Sequence, residues 1–139
     1  MFSEELFDFI MENEGFRDRP YTCTAGRLTI GYGHNLDIPI TEKTARAILR
    51  DDIGRAVRDL CGIFNNGLAF PAPQRMALID MMLNLGLTRF LGFRRMIAAI
   101  DKGDWDMAAA EAKDSLWYTQ VGVRGDKVVK LLGTKGEAV

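Results

Sequence analysis

The stretch Glu14-Gly-Phe-Arg-Asp-Arg-Pro-Tyr-Thr-Cys-Thr-Ala-Gly-Arg-Leu-Thr-Ile-Gly-Tyr-Gly-His34 decides the fold. Pro20, Gly26, Gly31 and Gly33 punctuate short runs such as Arg27-Leu-Thr-Ile-Gly-Tyr32, which read as small strands joined by turns. The segment before it has a different period. Leu6, Phe9 and Ile10 recur at helical spacing behind Ser3, an N-cap residue followed by Glu4 and Glu5, where the helix dipole favours anions. This spacing predicts a first helix ending near Glu14-Gly15, with a compact β element over about 16–36 behind it.

Beyond the β element the pattern turns helical. Thr41 is an N-cap followed by Glu42, and Ala45, Ile48, Leu49, Ile53, Ala56, Val57 and Leu60 trace one apolar stripe, so a second helix is expected from about Glu42 to Leu60. Gly62 to Pro73 reads as a loop. Met76 to Leu87 is apolar on almost every face, as a helix in the middle of a core is, and Met76, Met81 and Met82 read as gap-filling core residues. Two short helices follow, carrying Phe93, Met96, Ile97 and Ile100, then Trp105, Ala108, Ala109 and Ala112; Val121 to Leu132 is the last. The tryptophans read as core, and the tail 133–139 as frayed. The fold class is α+β and mostly helical: one domain over 1–139, with a small N-terminal β region beside a helical lobe of about 41–132. A cleft between the two is the expected ligand site.

Composition narrows the function classes. The chain has 139 residues, 47% apolar and 27% charged, which is an ordinary globular balance. Eighteen basic against nineteen acidic residues leave a net charge of -1, so no overall field favours nucleic acid. Basic residues do gather from Arg89 onward, among them Arg94, Arg95, Arg124, Lys127 and Lys130, and that side can face an anionic polymer. With one His, two Cys and no CxxC, a Cys/His zinc site cannot be assembled; no metal or cofactor is expected, and Cys23 and Cys61 read as free thiols. The acidic N-terminus is no signal peptide, and no stretch approaches the ~20 apolar residues of a membrane span, so synthesis in the cytoplasm is expected.

Glu14, Cys23 and Thr29 obey a defined spacing: a Glu, eight residues, an Asp or Cys, five residues, then a Thr. With Thr29-Ile-Gly-Tyr-Gly-His34 after them, they resemble the phage-type, T4-like lysozyme family. The resemblance extends over roughly residues 5 to 132, although the segment between His34 and the second helix looks shorter than in larger members. Asp52 falls where the family places a partner for the histidine matching His34. Arg75-Met-Ala-Leu-Ile-Asp-Met-Met-Leu-Asn-Leu-Gly86 resembles the family's central helix, with Asn84 at a polar position facing the cleft. Trp117-Tyr118-x-Gln120 with Arg124 resembles the C-terminal signature whose Arg supports the catalytic Glu.

The resemblance implies a lysozyme-like peptidoglycan hydrolase that cleaves the β-1,4 bond between N-acetylmuramic acid and N-acetylglucosamine. Such a reaction needs an acid near the leaving oxygen and water presented from the opposite face. Glu14 is the acid, provided that partial burial raises its pKa. Thr29 positions water, and Cys23 is a base, a nucleophile or a water-holding group. Cys23 departs from the Asp of many members, since a neutral thiol cannot act as a carboxylate does. Asn13, before Glu14, can accept a hydrogen bond from Arg124 but forms no ion pair with it. Asn84 and Gln120 are candidates for sugar hydroxyls or amides, Arg124 for orienting Glu14, and His34 with Asp52 for a structural pair. The implied partner is bacterial peptidoglycan, which a monomer reaches by way of a separate holin-like membrane-permeabilising protein. Lytic transglycosylation of the same bond, or a non-catalytic wall-binding domain, are the alternative readings.

Overall fold

The computed structural model describes residues 3–135. Among them are seven α-helices, one short 3-10 turn and a three-stranded antiparallel sheet, the mostly helical α+β class expected. The chain divides into two compact units, Met1–Ala45 and Arg46–Val139, with the division falling inside the second helix.

In the first unit, α1 spans Glu4–Glu14 and starts as its sequence predicts. The Ser3 hydroxyl accepts from the Leu6 amide at 3.2 Å, and Glu4 and Glu5 occupy the first turn. Leu6, Phe9 and Ile10 are exposed, so these local terms carry the helix. The sheet consists of β1 (Arg17–Thr22), β2 (Leu28–Gly31) and β3 (His34–Asn35), in that order. Pro20 lies in β1, which is an edge strand irregular in register between Arg17 and Tyr21, the position where a residue without an N–H is tolerated.

Helix α2 runs from Glu42 to Ile63, one turn further than its apolar stripe predicts. Thr41 caps it, its hydroxyl accepting from the Thr44 amide at 3.2 Å. Of the stripe, Ala56 and Leu60 are buried, whereas Ile48 and Leu49 are exposed. Twenty-two residues at ~1.5 Å each make a rod of about 33 Å, longer than a small core can cover.

The second unit contains the hydrophobic core. Helix α3 (Ala72–Leu91) starts inside the predicted loop, which also holds the 3-10 turn Gly67–Ala69, and it leaves helical geometry at Gly86. Leu78, Met81, Met82 and Phe90 are buried in it; Met76, expected in the core, is 60% exposed because it lies one residue round from the buried Ala77-Leu78 face. Helices α4 (Arg94–Asp101), α5 (Trp105–Lys113), α6 (Leu116–Val121) and α7 (Val123–Leu132) follow. The expected last helix, Val121 to Leu132, is α7 and starts two residues later, at Val123; α6 is a further helix before it, with Gly122 between the two. Helix α7 packs on α3 and α5, and α4 on α5, around Met96, Ala108, Ala112, Val128 and Leu132. Buried Gln74 joins the two ends of this unit: its Nε2 donates to the carbonyls of Leu132 (3.0 Å) and Thr134 (2.7 Å). Trp117 is buried, as expected, and Trp105 half-buried against Phe70. Of the tail expected to fray, Gly133 to Lys135 are described and 136–139 lie outside the described residues.

Candidate active site

Glu14 is the last residue of α1, and the sheet returns the chain to it. The pairing Arg17↔Gly31 sets the strand after Glu14 beside the strand that precedes the second glycine turn. The rings of Phe16 and Tyr32, 5.6 Å apart, hold the two segments together. Gly33 then approaches the acid so closely that a Cβ on it would stand 2.5 Å from Glu14 Oε2 and 2.9 Å from Cδ. Gly33 also has φ +79°, a region that favours glycine. The sequence marks Gly33 only as part of a glycine-rich turn; its role as the seat of the Glu14 carboxyl comes from the tertiary approach. Glu14 itself is exposed, so the desolvation that suits a general acid has to be completed by whatever covers it.

Cys23 opens the hairpin turn between β1 and β2. Its backbone N–H donates to the Arg27 carbonyl at 2.9 Å, and its carbonyl accepts from the Gly26 amide at 2.9 Å. The turn thereby directs backbone amides at the sulfur. Hydrogen bonds from the backbone of Arg27 and then Ala25 hold the Cys23 thiol below its ordinary range; partial desolvation opposes them, while the Thr29 hydroxyl and the Arg27 charge assist. The cause is chiefly oriented amides, with the positive charge a minor contributor. The thiol should therefore alkylate at lower pH than the same residue in an unstructured peptide. Iodoacetamide labelling followed by mass across pH 6 to 10 checks this, and coincident profiles would contradict it.

Thr29 is buried on β2, paired with Tyr21 of β1 and Asn35 of β3. Its hydroxyl donates to the Arg27 carbonyl at 2.9 Å and also neighbours the Cys23 sulfur. A hydroxyl has one hydrogen, so the bond to Arg27 and a bond to a thiolate compete; ionising Cys23 favours the latter because charge-assisted bonds are stronger. The structure thus brings Cys23 and Thr29 together. His34, on β3, is half-buried, and its Nε2 has no hydrogen-bond partner among the described residues.

In the helical unit, Asp52 pairs with Arg55 one turn along α2, at 2.7 Å. Asn84 Oδ1 accepts from the Trp117 indole N–H at 2.8 Å, fixing the ring and leaving the amide N–H₂ of Asn84 free to donate. Gln120 is exposed on α6 and lines a pocket. Arg124 forms a two-pronged pair with Asp80, Nε to Oδ2 at 2.9 Å and Nη2 to Oδ1 at 2.8 Å. Asp80 was not singled out by the sequence, since nothing local connects positions 44 residues apart. Support of Glu14 by Arg124, and a pair between His34 and Asp52, rest on the resemblance alone.

Comparisons with known proteins bear on the family resemblance. The family model described as phage lysozyme matches residues 11–135. An endolysin of Acyrthosiphon pisum secondary endosymbiont phage 1 is 35% identical over 115 residues, covering 78% of this chain and 75% of that protein. A probable T4-type lysozyme 2 of Dictyostelium discoideum is 25% identical over 162 residues, 93% of this chain and 94% of the other. The pre-baseplate central spike protein Gp5 of Enterobacteria phage T4 is 27% identical over 158 residues, 93% of this chain but 28% of that longer protein.

Proposed function

Because the chain belongs to the phage lysozyme family, we propose that Glu14, Cys23 and Thr29 carry its chemistry on the glycan of bacterial cell walls. The protein is a glycosidase of the lysozyme type, a peptidoglycan hydrolase. The observation that supports the residue roles is the seating of the Glu14 carboxyl on Gly33, on the same small sheet whose first turn holds the Cys23 sulfur.

Glu14 protonates the oxygen that leaves between N-acetylmuramic acid and N-acetylglucosamine. Bound sugar covers the exposed carboxyl and sets the leaving oxygen beside it. Cys23, as a thiolate, takes a proton from a water molecule that attacks the anomeric carbon from the other face. Thr29, through its hydroxyl, steadies the sulfur and hence the water. The bond from anomeric carbon to the leaving oxygen breaks as the bond to water oxygen forms, so the anomeric centre inverts. Asn84 donates from its free amide to an acetamide carbonyl, and Gln120 lies available to a neighbouring group. Arg124, held by Asp80, is the cation that the resemblance assigns to orienting Glu14. His34 and Asp52 stay outside the catalytic set.

The chain works as a monomer and reaches the wall through a separate holin-like partner. Among the described residues no single helix is long and apolar enough to cross a membrane.

A turbidity assay on outer-membrane-stripped cells tests the assignment at Cys23. Cys23→Ser, whose hydroxyl does not ionise near neutral pH, should lose about 10²- to 10³-fold in rate, whereas Cys23→Asp should stay within about tenfold of wild type. Equal rates for Cys23→Ser and wild type would remove Cys23 from the mechanism.

A further inference from the structure

Strand β1 takes four residue steps from Arg17 to Tyr21 where its partner β2 takes two, from Gly31 to Thr29. The surplus lies in Asp18-Arg19-Pro20, a bulge centred on a stretch whose proline cannot donate to the ladder. Bulges beside active sites commonly re-aim a side chain, and this one does. Arg17 and Tyr21 stand as close as alternate residues of a regular strand, and the Arg17 guanidinium lies 4.7 Å above the centre of the Tyr21 ring. Tyr21 is directly opposite Thr29, so the stacked pair shares a sheet face with the hydroxyl that neighbours the Cys23 sulfur. Across from Arg17 is Gly31, where no atom would lie within 4 Å of an added Cβ. The sheet is therefore open at the residue opposite the guanidinium.

Stacking uses the face of a guanidinium and leaves its edge free. Among the described residues Arg17 forms no hydrogen bond or ion pair, so its in-plane N–H donors are unspent. The ring already restrains the side chain, and a partner gains the bond at less entropic cost than from a loose arginine. A charged fork of this kind matches the two oxygens of a carboxylate. Hydroxyls and acetamides occur on both sugars of the wall glycan and present single oxygens. Carboxylates come only through the lactyl arm of N-acetylmuramic acid: its own acid in a peptide-free strand, or the first free acid of an attached peptide.

We infer that Arg17, set on Tyr21 by the bulge, binds a carboxylate carried on the lactyl arm of the muramyl sugar, and so tells that sugar from N-acetylglucosamine. The inference rests on the lysozyme reading, which supplies the glycan.

The test is calorimetric titration of the whole chain in a Glu14→Gln background, so that strands are not consumed. Soluble uncrosslinked glycan strands are compared with and without stem peptides, each with its carboxylates free or converted to methylamides. Free-acid strands should bind about tenfold more tightly than their methylamides. Arg17→Gln should abolish that ratio and bind the methylamides as the parent does. Arg19→Gln removes the same charge from within the bulge and should keep the ratio. A ratio on peptide-bearing strands assigns the carboxylate to the peptide; one confined to peptide-free strands assigns it to the lactyl acid. Thermal unfolding verifies that each variant is folded. No binding, equal binding of acids and methylamides, a ratio that survives Arg17→Gln, or one lost equally in Arg19→Gln overturns the inference. Glycan cleavage by the chain with Glu14 intact is scored separately, and only its absence counts against the hydrolase assignment.

Discussion

Glu14→Gln is expected to lower the rate of wall lysis by at least about 10³-fold while leaving the melting temperature within about 2 °C of wild type. The substitution keeps the size of the side chain and the hydrogen-bonding oxygen, so the seat on Gly33 is preserved. It removes the proton that the leaving oxygen requires. A positioned general acid accounts for about 10²–10⁴ in rate, and departure of an unprotonated sugar oxygen is the harder half of the reaction. Because Glu14 is exposed at the end of α1 and its side chain contributes no core packing, the loss should appear in kcat and not in folding. Rate and calorimetric melting measured on one preparation separate the two. A variant that lyses cells at the wild-type rate would remove Glu14 from the chemistry.

Gly33→Ala should be the second most damaging change, for a different reason. A methyl there would come within 2.5 Å of Glu14 Oε2, and the flexible carboxyl is the group that yields. A displacement of about 1 Å at a catalytic group can cost on the order of 10²-fold. The backbone also has φ +79° at Gly33, where alanine adds roughly 1–2 kcal/mol of strain. Gly103→Ala supplies the control. Its φ is +71°, with no atom within 4 Å of the added carbon, so it should show a similar fall in melting temperature with normal lysis. If both variants lyse cells equally well, the seating of Glu14 on Gly33 has no catalytic consequence.

Local signals made most of the secondary structure legible. Ser3 and Thr41 announce α1 and α2, because an N-cap side chain satisfies amides only three residues away. The glycines between Cys23 and His34 announce the hairpins for the same reason: turn geometry is decided by a few adjacent residues. What was not legible depends on residues distant in sequence. Which face of α3 is buried is set by α7, so Met76 reads as core by composition yet lies exposed. The start of α7 hides in an apolar pattern that continues across Gly122. At the candidate site, Glu14, Cys23 and Thr29 are legible as a spacing. The closeness of Gly33 to Glu14 and the grip of Asp80 on Arg124 are not, since each requires the chain to return from 19 or 44 residues away. The basic drift from Arg89 onward was visible, but its division into a paired Arg124 and an unpaired trio around a pocket emerges only when α3, α4 and α5 are placed.

Digestion of purified peptidoglycan in water enriched in oxygen-18, with the released muropeptides read by mass spectrometry, tests most directly that Glu14 drives hydrolysis of the wall glycan. The account predicts N-acetylmuramic acid reducing ends carrying one heavy oxygen, produced by the wild-type chain and not by Glu14→Gln. Ends in the anhydro form without the label, an uncut glycan, or labelled ends released equally well by Glu14→Gln would contradict it.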